Sequence, residues 1–325
     1  MRNVLNLYKK VGWTPLETIE KFKSRNPKYG GKRMGYAGRL DPMAEGVLLV
    51  LVGEENKKIA QYMGFDKEYV AEILLGFSSD SNDVLGVAER GVGMNENIGS
   101  SAKETRGNSA GREIESGART LDIKNGGEFE KELKKKIKGF VGKYEQKIPK
   151  YSSYRVKGKP MFHYARKGVE VEEVKKNVLI KKVKVNSIYQ ITSSRLLKYI
   201  VDKVGKVNGD FRQLEVLENW GRLLKGDQSL TYKSSNPTRQ IHSDIQPSHP
   251  PLDVQSESNS PTLPLKDGSK IDKYYVLNVT IGCSSGTYIR AIADDFGRQM
   301  EMGGLLLSLK RVRVGKFGVG GSLRL

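Results

Sequence analysis

Gly35-Tyr36-Ala37-Gly38-Arg39-Leu40-Asp41-Pro42-Met43-Ala44-Glu45-Gly46 is the densest concentration of special residues in the chain. Three glycines and an Asp-Pro step predict a tight, irregular loop between regular elements. Such a loop can hold one carboxylate, Asp41, beside the backbone of a bound ligand, with glycine permitting close approach. Read alone, the same pattern also describes an ordinary turn.

Upstream, Asn3 to Lys9 reads as a strand. Thr14-Pro15-Leu16-Glu17 then offers an N-cap, a proline at the first helical position and a glutamate three residues after the cap, which predicts a helix to about Phe22. Downstream, the apolar run Val47 to Val52 predicts a buried strand, Glu54 to Met63 a helix stopped by Gly64, and Glu68 to Leu75 a strand ending at Gly76. Further along, Gly127 to Tyr144 reads as helical with a basic face and Val178 to Thr192 as a long strand. Tyr274 to Gly282 predicts a strand, Thr287 to Met300 a helix, and Leu305 to Val314 a last strand. These blocks show no internal repeat and are broken by two expected flexible insertions. One, at about 90–127, is rich in Gly, Ser, Asn and charge; the other, at about 234–269, holds six of the eleven prolines and no aromatic residue. One α/β or α+β domain is the economical reading.

Composition narrows the chemistry. The 325 residues include 56 Lys plus Arg against 37 Asp plus Glu, a formal charge of +19, which points to a polyanionic partner such as RNA. The run Val47 to Val52 is far below the ~18 apolar residues needed to cross a bilayer. The first ten residues lack the pattern of a signal peptide, so the expected location is cytoplasmic, with no membrane partner. A single cysteine, Cys283, excludes an internal disulfide framework and a Cys-rich zinc site. With three histidines, no metal-ligand spacing, no P-loop and no dinucleotide fingerprint, the expectation is an enzyme without cofactor or metal, acting through side chains alone.

Three further clusters stand out. In Gly286-Thr287-Tyr288-Ile289-Arg290, a threonine N-cap opens helix N–H groups toward an anion while Arg290 offers a planar fork to a carboxylate or phosphate; an ordinary capped helix with a surface arginine has the same pattern. Tyr69, at the start of a strand, can stack on an unstacked base or simply pack. Pro149 to Gly158 mixes Tyr151 and Tyr154 with cations, as an RNA contact or any exposed basic loop would.

Taken together and in order, these segments resemble the bacterial TruB-type tRNA pseudouridine synthases. The likeness runs from about Asn3 to Phe317 outside the insertions. It rests on Gly38 to Leu48 with Gly53 and Lys57, on Lys67-Glu68-Tyr69 leading to Leu75-Gly76, and on Ser79 to Gly86. It continues through Pro149, Tyr151-Ser152, Gly158, Tyr164-Ala165-Arg166-Lys167-Gly168, Gly286 to Arg290 with Asp294-Asp295 and Gly297, and Leu309-Lys310-Arg311 with Gly315 and Phe317. The resemblance implies an α+β catalytic fold with a central, largely antiparallel sheet flanked by helices. The catalytic domain would span 1–317, followed by a short tail, 318–325, in place of the RNA-binding PUA domain of many relatives.

It further implies isomerisation of uridine to pseudouridine in the T arm of tRNA, at position 55, without cofactor or obligate protein partner. Asp41 would be the catalytic carboxylate, Tyr69 the ring that stacks on the target base, and Arg290 the partner of the aspartate. Tyr36, Gly38, Arg39, Leu40, Tyr151, Tyr164 and Arg166 would bind substrate. The family usually has histidine where Tyr36 stands, so here a tyrosine would position the flipped nucleotide. Whether Asp41 attacks C1′ or removes the C2′ proton stays open. Two alternatives remain at this stage. One is a ribosomal-RNA synthase of the RluA type, which shares Arg39-Leu40-Asp41; the other is a catalytically silent RNA-binding protein.

Overall fold

A computed structural model describes residues 3–91, 126–225 and 273–325. The insertion expected at 234–269, and that at 90–127 apart from its end residues, lie outside the described residues.

The first strand, β1 (Val4–Lys9), leads into helix α1 (Pro15–Arg25). The Thr14 hydroxyl accepts from the Glu17 N–H and the Glu17 carboxylate from the Thr14 N–H, the reciprocal cap that the sequence announces, and the helix runs three residues past Phe22. Strand β2 (Met34–Ala37) already contains the first residues of the glycine-rich stretch, so the irregular loop is confined to Gly38 to Ala44. Strand β3 (Glu45–Val52) is covered on both faces, which accounts for its continuous apolar run. Leu48, Val50 and Val52 pack with Leu5, Leu7, Ile19, Phe22 and Tyr29, whereas Val47 and Leu49 pack with Ala37 and Val314.

Glu54 to Met63 departs from the expected single helix: Gly53–Lys58 is a 3₁₀ turn and only α2 (Ile59–Met63) is α-helical. The next strands are β4 (Lys67–Leu75), then β5 (Phe77–Ser79) and β6 (Ala88–Arg90), which form a hairpin of their own. Helix α3 (Gly126–Lys138) ends well before Tyr144; Gly139 and Gly142 interrupt it, and Tyr144 belongs to strand β7 (Gly142–Lys147), whose backbone pairs with a neighbouring strand instead of continuing the helix. A small hairpin, β8 (Arg155–Val156) and β9 (Lys159–Pro160), precedes α4 (Met161–Arg166). The long strand β10 (Lys175–Thr192) is followed by two helices that the sequence reading did not anticipate, α5 (Ser193–Gly205) and α6 (Gln213–Lys225). Strand β11 (Lys273–Cys283), helix α7 (Ile289–Gln299), strand β12 (Gly304–Val314) and the two-residue β13 (Phe317–Gly318) complete the order.

The main sheet runs β1-β3-β12-β4-β11-β10-β7, with β2 added to β3 and β13 to β12. Every pairing is antiparallel except β12 with β3, so the expectation of a largely antiparallel sheet with flanking helices matches the architecture. Residues beyond Gly318 are docked along β1: Tyr8 N–H donates to the Leu323 carbonyl and Leu323 N–H to that of Asn6. Among the described residues no helix is long and apolar enough to cross a membrane.

Two close approaches position the site. Gly46, at φ +108°, lies against the Arg311 backbone, where any Cβ would collide with the Arg311 carbonyl. Gly297 of α7 meets the Gly304 backbone at the start of β12, so the helix rests on the strand with no side chain between them.

Candidate active site

The loop that carries Asp41 is held by two buried cations. Lys9, fully buried at the end of β1, donates from Nζ to the carbonyls of Ala44 (2.5 Å), Lys10 (3.1 Å) and Pro42 (3.2 Å). Arg311, 1% exposed on β12, donates from Nε to the Val47 carbonyl (2.8 Å) and from Nη2 to that of Gly38 (3.1 Å). Leu40, Met43 and Ala44 are buried in the main core and anchor the loop from below. Burial pulls the Lys9 ammonium down to about 7, opposed first by the Asp41 charge.

Arg290 is set by the turn before α7. Gly286 takes φ +77°, and fully buried Gln146 of β7 donates to the Gly286 carbonyl (3.0 Å) while accepting from the Tyr288 N–H (3.1 Å). The expected threonine cap is therefore corrected: the Thr287 hydroxyl donates back to the Ser284 carbonyl, Tyr288 is the N-cap residue, and its N–H is spent on Gln146 instead of facing an anion.

From this turn Arg290, only 3% exposed, reaches into the core of the cleft. Its Nε donates to Asp41 Oδ2 (2.9 Å) and its Nη2 to Asp41 Oδ1 (3.3 Å), a two-point grip on the carboxylate. Nη1 donates to the Ser81 carbonyl (2.6 Å), Nη2 also to the Tyr151 carbonyl (3.1 Å), and Nε lies 3.6 Å from Asp83 Oδ2. Asp83 is buried; its Oδ1 accepts from the Ser81 hydroxyl (2.7 Å) and the Leu85 N–H (3.0 Å). Burial pushes its carboxyl up to about 6, with the Arg290 charge pulling the other way and Asp41 adding repulsion. The guanidinium thus faces two carboxylates of different character. Asp83 is enclosed, whereas the Asp41 side chain keeps a third of its surface open. A carboxylate that is ionically held yet accessible can act as nucleophile or base on a bound ligand.

Tyr69 lies on β4 opposite Arg311 and Ile281. Its phenol is within electrostatic reach of Arg311 and Asp41, and burial pushes it up. The structure therefore brings Asp41, Tyr69 and Arg290 to one place from three distant segments. Gly38 (φ +84°) and Leu40 belong to the loop itself. Tyr151 contributes its carbonyl to Arg290. The remaining expected binders make their contacts with other partners. Arg39 is exposed on the loop. Tyr36 packs beside the cluster formed by β1, α1 and β3. The Tyr164 hydroxyl donates to the Val156 carbonyl (3.0 Å), and Arg166 donates to the Asp210 carbonyl (3.1 Å) while stacking near Phe162 and Phe211.

Sequence reasoning singled out no part for Lys9 and named Asp83 and Arg311 only within the stretches that carry the resemblance. A signal was present for two of them: Lys9 continues the inward positions Leu5 and Leu7, and Arg311 continues Leu305, Leu307 and Leu309, each a cation where the alternation demands an apolar side chain. Off the end of β4 a cavity of about 660 Å³ is lined by Lys67, Lys181, Lys182, Cys283 and Arg313 among others, next to the cleft but not including Asp41.

The chain is similar to "tRNA pseudouridine synthase B" of Fusobacterium nucleatum, at 29% identity over 55% of this chain and 50% of that protein. It is 28% identical to the protein of the same name from Lactococcus lactis subsp. lactis (strain IL1403), over 56% of this chain and 45% of the relative. With the Clostridium kluyveri protein of that name it shares 25% identity over 100% of this chain and 71% of the relative. The chain thus spans about half the length of the first two. Among solved structures it is similar to one titled "Crystal Structure of a Cbf5-Nop10-Gar1 Complex", at 15% identity and a TM-score of 0.47, over 99% of this chain and 52% of that one. The sequence model of the "TruB family pseudouridylate synthase (N terminal domain)" matches residues 26–110 and 103–200, more than half of the chain and inclusive of the Asp41 loop, Tyr69, Asp83 and Tyr151. By that match the chain belongs to the TruB family of pseudouridylate synthases.

Proposed function

We propose that this protein isomerises uridine to pseudouridine in tRNA, with the T arm as its site of action and Asp41 as the catalytic carboxylate. The observation that carries the reading is the Asp41–Arg290 pair: an accessible carboxylate gripped at two points by a buried guanidinium, beside the Tyr69 ring. The reaction breaks the N1–C1′ bond, turns the uracil and joins C5 to C1′. The C5 proton leaves and N1 is protonated, so neither oxidant nor cofactor is consumed. Asp41 serves this chemistry by attack on C1′ or by removal of the C2′ proton.

A base stacked in an RNA arm must be extruded first, at a cost of a few kcal/mol. Tyr69 supplies the stacking surface for the flipped pyrimidine, and the buried Arg290 guanidinium holds Asp41 in place at two points. The cations of the neighbouring cavity, with those of β10 and β12, attract the phosphates of the arm. In this reading the catalytic domain is one unit spanning residues 1–317, with the two insertions placed outside its core.

The test is incubation with an unmodified tRNA transcript followed by carbodiimide mapping. A mark in the T arm that disappears with Asp41→Asn, while RNA binding persists, is the expected result. A mark only in ribosomal RNA would reassign the substrate, and turnover by Asp41→Asn near that of the wild type would remove Asp41 from the role.

A further inference from the structure

Strands β10 and β11 form one antiparallel ladder whose last described pair is Thr192 with Lys273. A tight turn of two residues would join such ends; here the chain between them runs from 193 to 272 and begins with α5 and α6. These helices are therefore an addition to the tip of a hairpin, and their contacts are not confined to that tip. Helix α6 is fastened to the β5–β6 hairpin: Trp220 Nε1 donates to the Val84 carbonyl (3.3 Å), Asn219 Oδ1 accepts from the Ala88 N–H (2.7 Å), and Arg90 Nη2 donates to the Leu223 carbonyl (2.7 Å).

The connection between α5 and α6 contacts the turn before α1, helix α4 and the segments of Asp80 and Tyr151. Asn208 N–H donates to the Gly12 carbonyl (3.1 Å), and Gly12 N–H donates in turn to Pro42 (2.9 Å), the residue after Asp41. The Asp210 carbonyl accepts from Arg166 of α4. Arg212 then makes the most telling contacts. Its Nη2 lies 2.8 Å from Asp80 Oδ2, and its guanidinium lies 4.9 Å from the centre of the Tyr151 ring. Arg212 does this from a left-handed backbone, φ +58°, a conformation unfavourable for a non-glycine residue and kept where the surroundings impose it.

Asp80 precedes Ser81, and the carbonyls of Ser81 and Tyr151 are the two backbone acceptors that orient Arg290. We propose that Arg212 is a positioning residue of the active site: gripping Asp80 and Tyr151 together, it fixes the two carbonyls that aim Arg290 at Asp41. The role in turnover rests on the isomerase reading above. Arg212 touches neither Asp41 nor Arg290 in this scheme and acts through the loops that hold them.

The experiment uses the full chain with Arg212→Ala, Arg212→Lys, Asp80→Asn and the Arg212→Ala/Asp80→Asn pair. Single-turnover pseudouridine formation and affinity for an unmodified tRNA transcript are measured for each. Arg212→Ala is expected to slow the chemical step by about tenfold to a hundredfold, the scale of a small misplacement of catalytic groups, with affinity unchanged. Arg212→Lys, which keeps the ion pair but not the flat stack, recovers part of the rate. The double variant is no slower than the slower single one, because both act through one contact. Multiplying effects, or a loss seen only in RNA affinity, overturn the proposal. Hydrogen exchange gives a readout independent of activity: Arg212→Ala should speed exchange at 79–86 and 149–154. If the wild type forms no pseudouridine, the isomerase reading fails while exchange still decides the latch, unchanged protection refuting it.

Discussion

Replacing Arg290 with methionine tests the electrostatic logic of the site, because the resulting loss of stability should itself depend on pH. Asp83 is enclosed, and its folded carboxyl stands at about 6 even with the guanidinium 3.6 Å away. At that separation the attraction is on the order of 4 kcal/mol for an effective dielectric of about 20, so removing it drives the Asp83 carboxyl several pH units higher. A carboxyl raised above its unfolded value near 3.9 favours the folded state only while protonated. Its contribution is complete below that unfolded value and is lost as pH rises toward the folded one. At pH 5 Asp83 is protonated in both proteins, and the difference between them reduces to the lost bonds to Asp41, Ser81 and Tyr151. Above about pH 6 the wild type ionises Asp83 against Arg290 while the variant keeps it protonated, which costs the variant about 1.4 kcal/mol per pH unit, near 3 kcal/mol at pH 8. Denaturant unfolding at pH 5, 6.5 and 8 measures the widening gap, and adding Asp83→Asn should abolish it. A constant gap across this range, or a double variant with the same slope, would show that Arg290 does not hold a buried Asp83 charge.

Lys9→Met should alter the alkaline limb instead. A lysine lowered to about 7 in the fold binds fewer protons there than in the unfolded chain up to its ordinary value near 10.4, so wild-type stability climbs with pH by about 1.4 kcal/mol per unit in that window. The variant is less stable throughout and lacks that climb; parallel denaturation curves from pH 7.5 to 9.5 would contradict this. Gly46→Ala should lower stability by roughly 1–3 kcal/mol, since a Cβ at φ +108° collides with the Arg311 carbonyl; a melting temperature equal to that of the wild type would disprove the close approach. Lys182→Ala, at the rim of the basic cavity, should reduce the slope of log affinity against log salt by about 1 in filter binding to tRNA. An unchanged slope would remove that cavity from the RNA path.

Local chemistry was legible in the residues themselves. The capping box of Thr14 and Glu17, the apolar run of β3 and the glycine-rich frame of Asp41 can each be read from groups a few residues apart. The same signals mislead where pairing at long range wins. Tyr144 continues a helical pattern yet lies in β7, where it pairs opposite Val178 across the sheet. Thr287 looks like a cap, but Gln146, far away in sequence, takes the N–H that a cap would leave open.

The helices α5 and α6 carry their apolar spacing openly, in Leu196, Leu197, Ile200 and Val204 and then in Val216, Leu217, Trp220 and Leu224. That they are an addition to the β10–β11 hairpin follows only from strand register, and that Arg212 reaches Tyr151 only from packing. The residue types of the site, a carboxylate, a guanidinium and a phenol, could be chosen from the chain as written. Their convergence could not, since Asp41 and Arg290 are 249 positions apart and meet because β12 seats the Asp41 loop while α7 rests on that same strand. Sequence sets which groups are available and how each is held by its neighbours; the sheet decides which of them share a dielectric, and therefore which charges are paired, buried or left open to react.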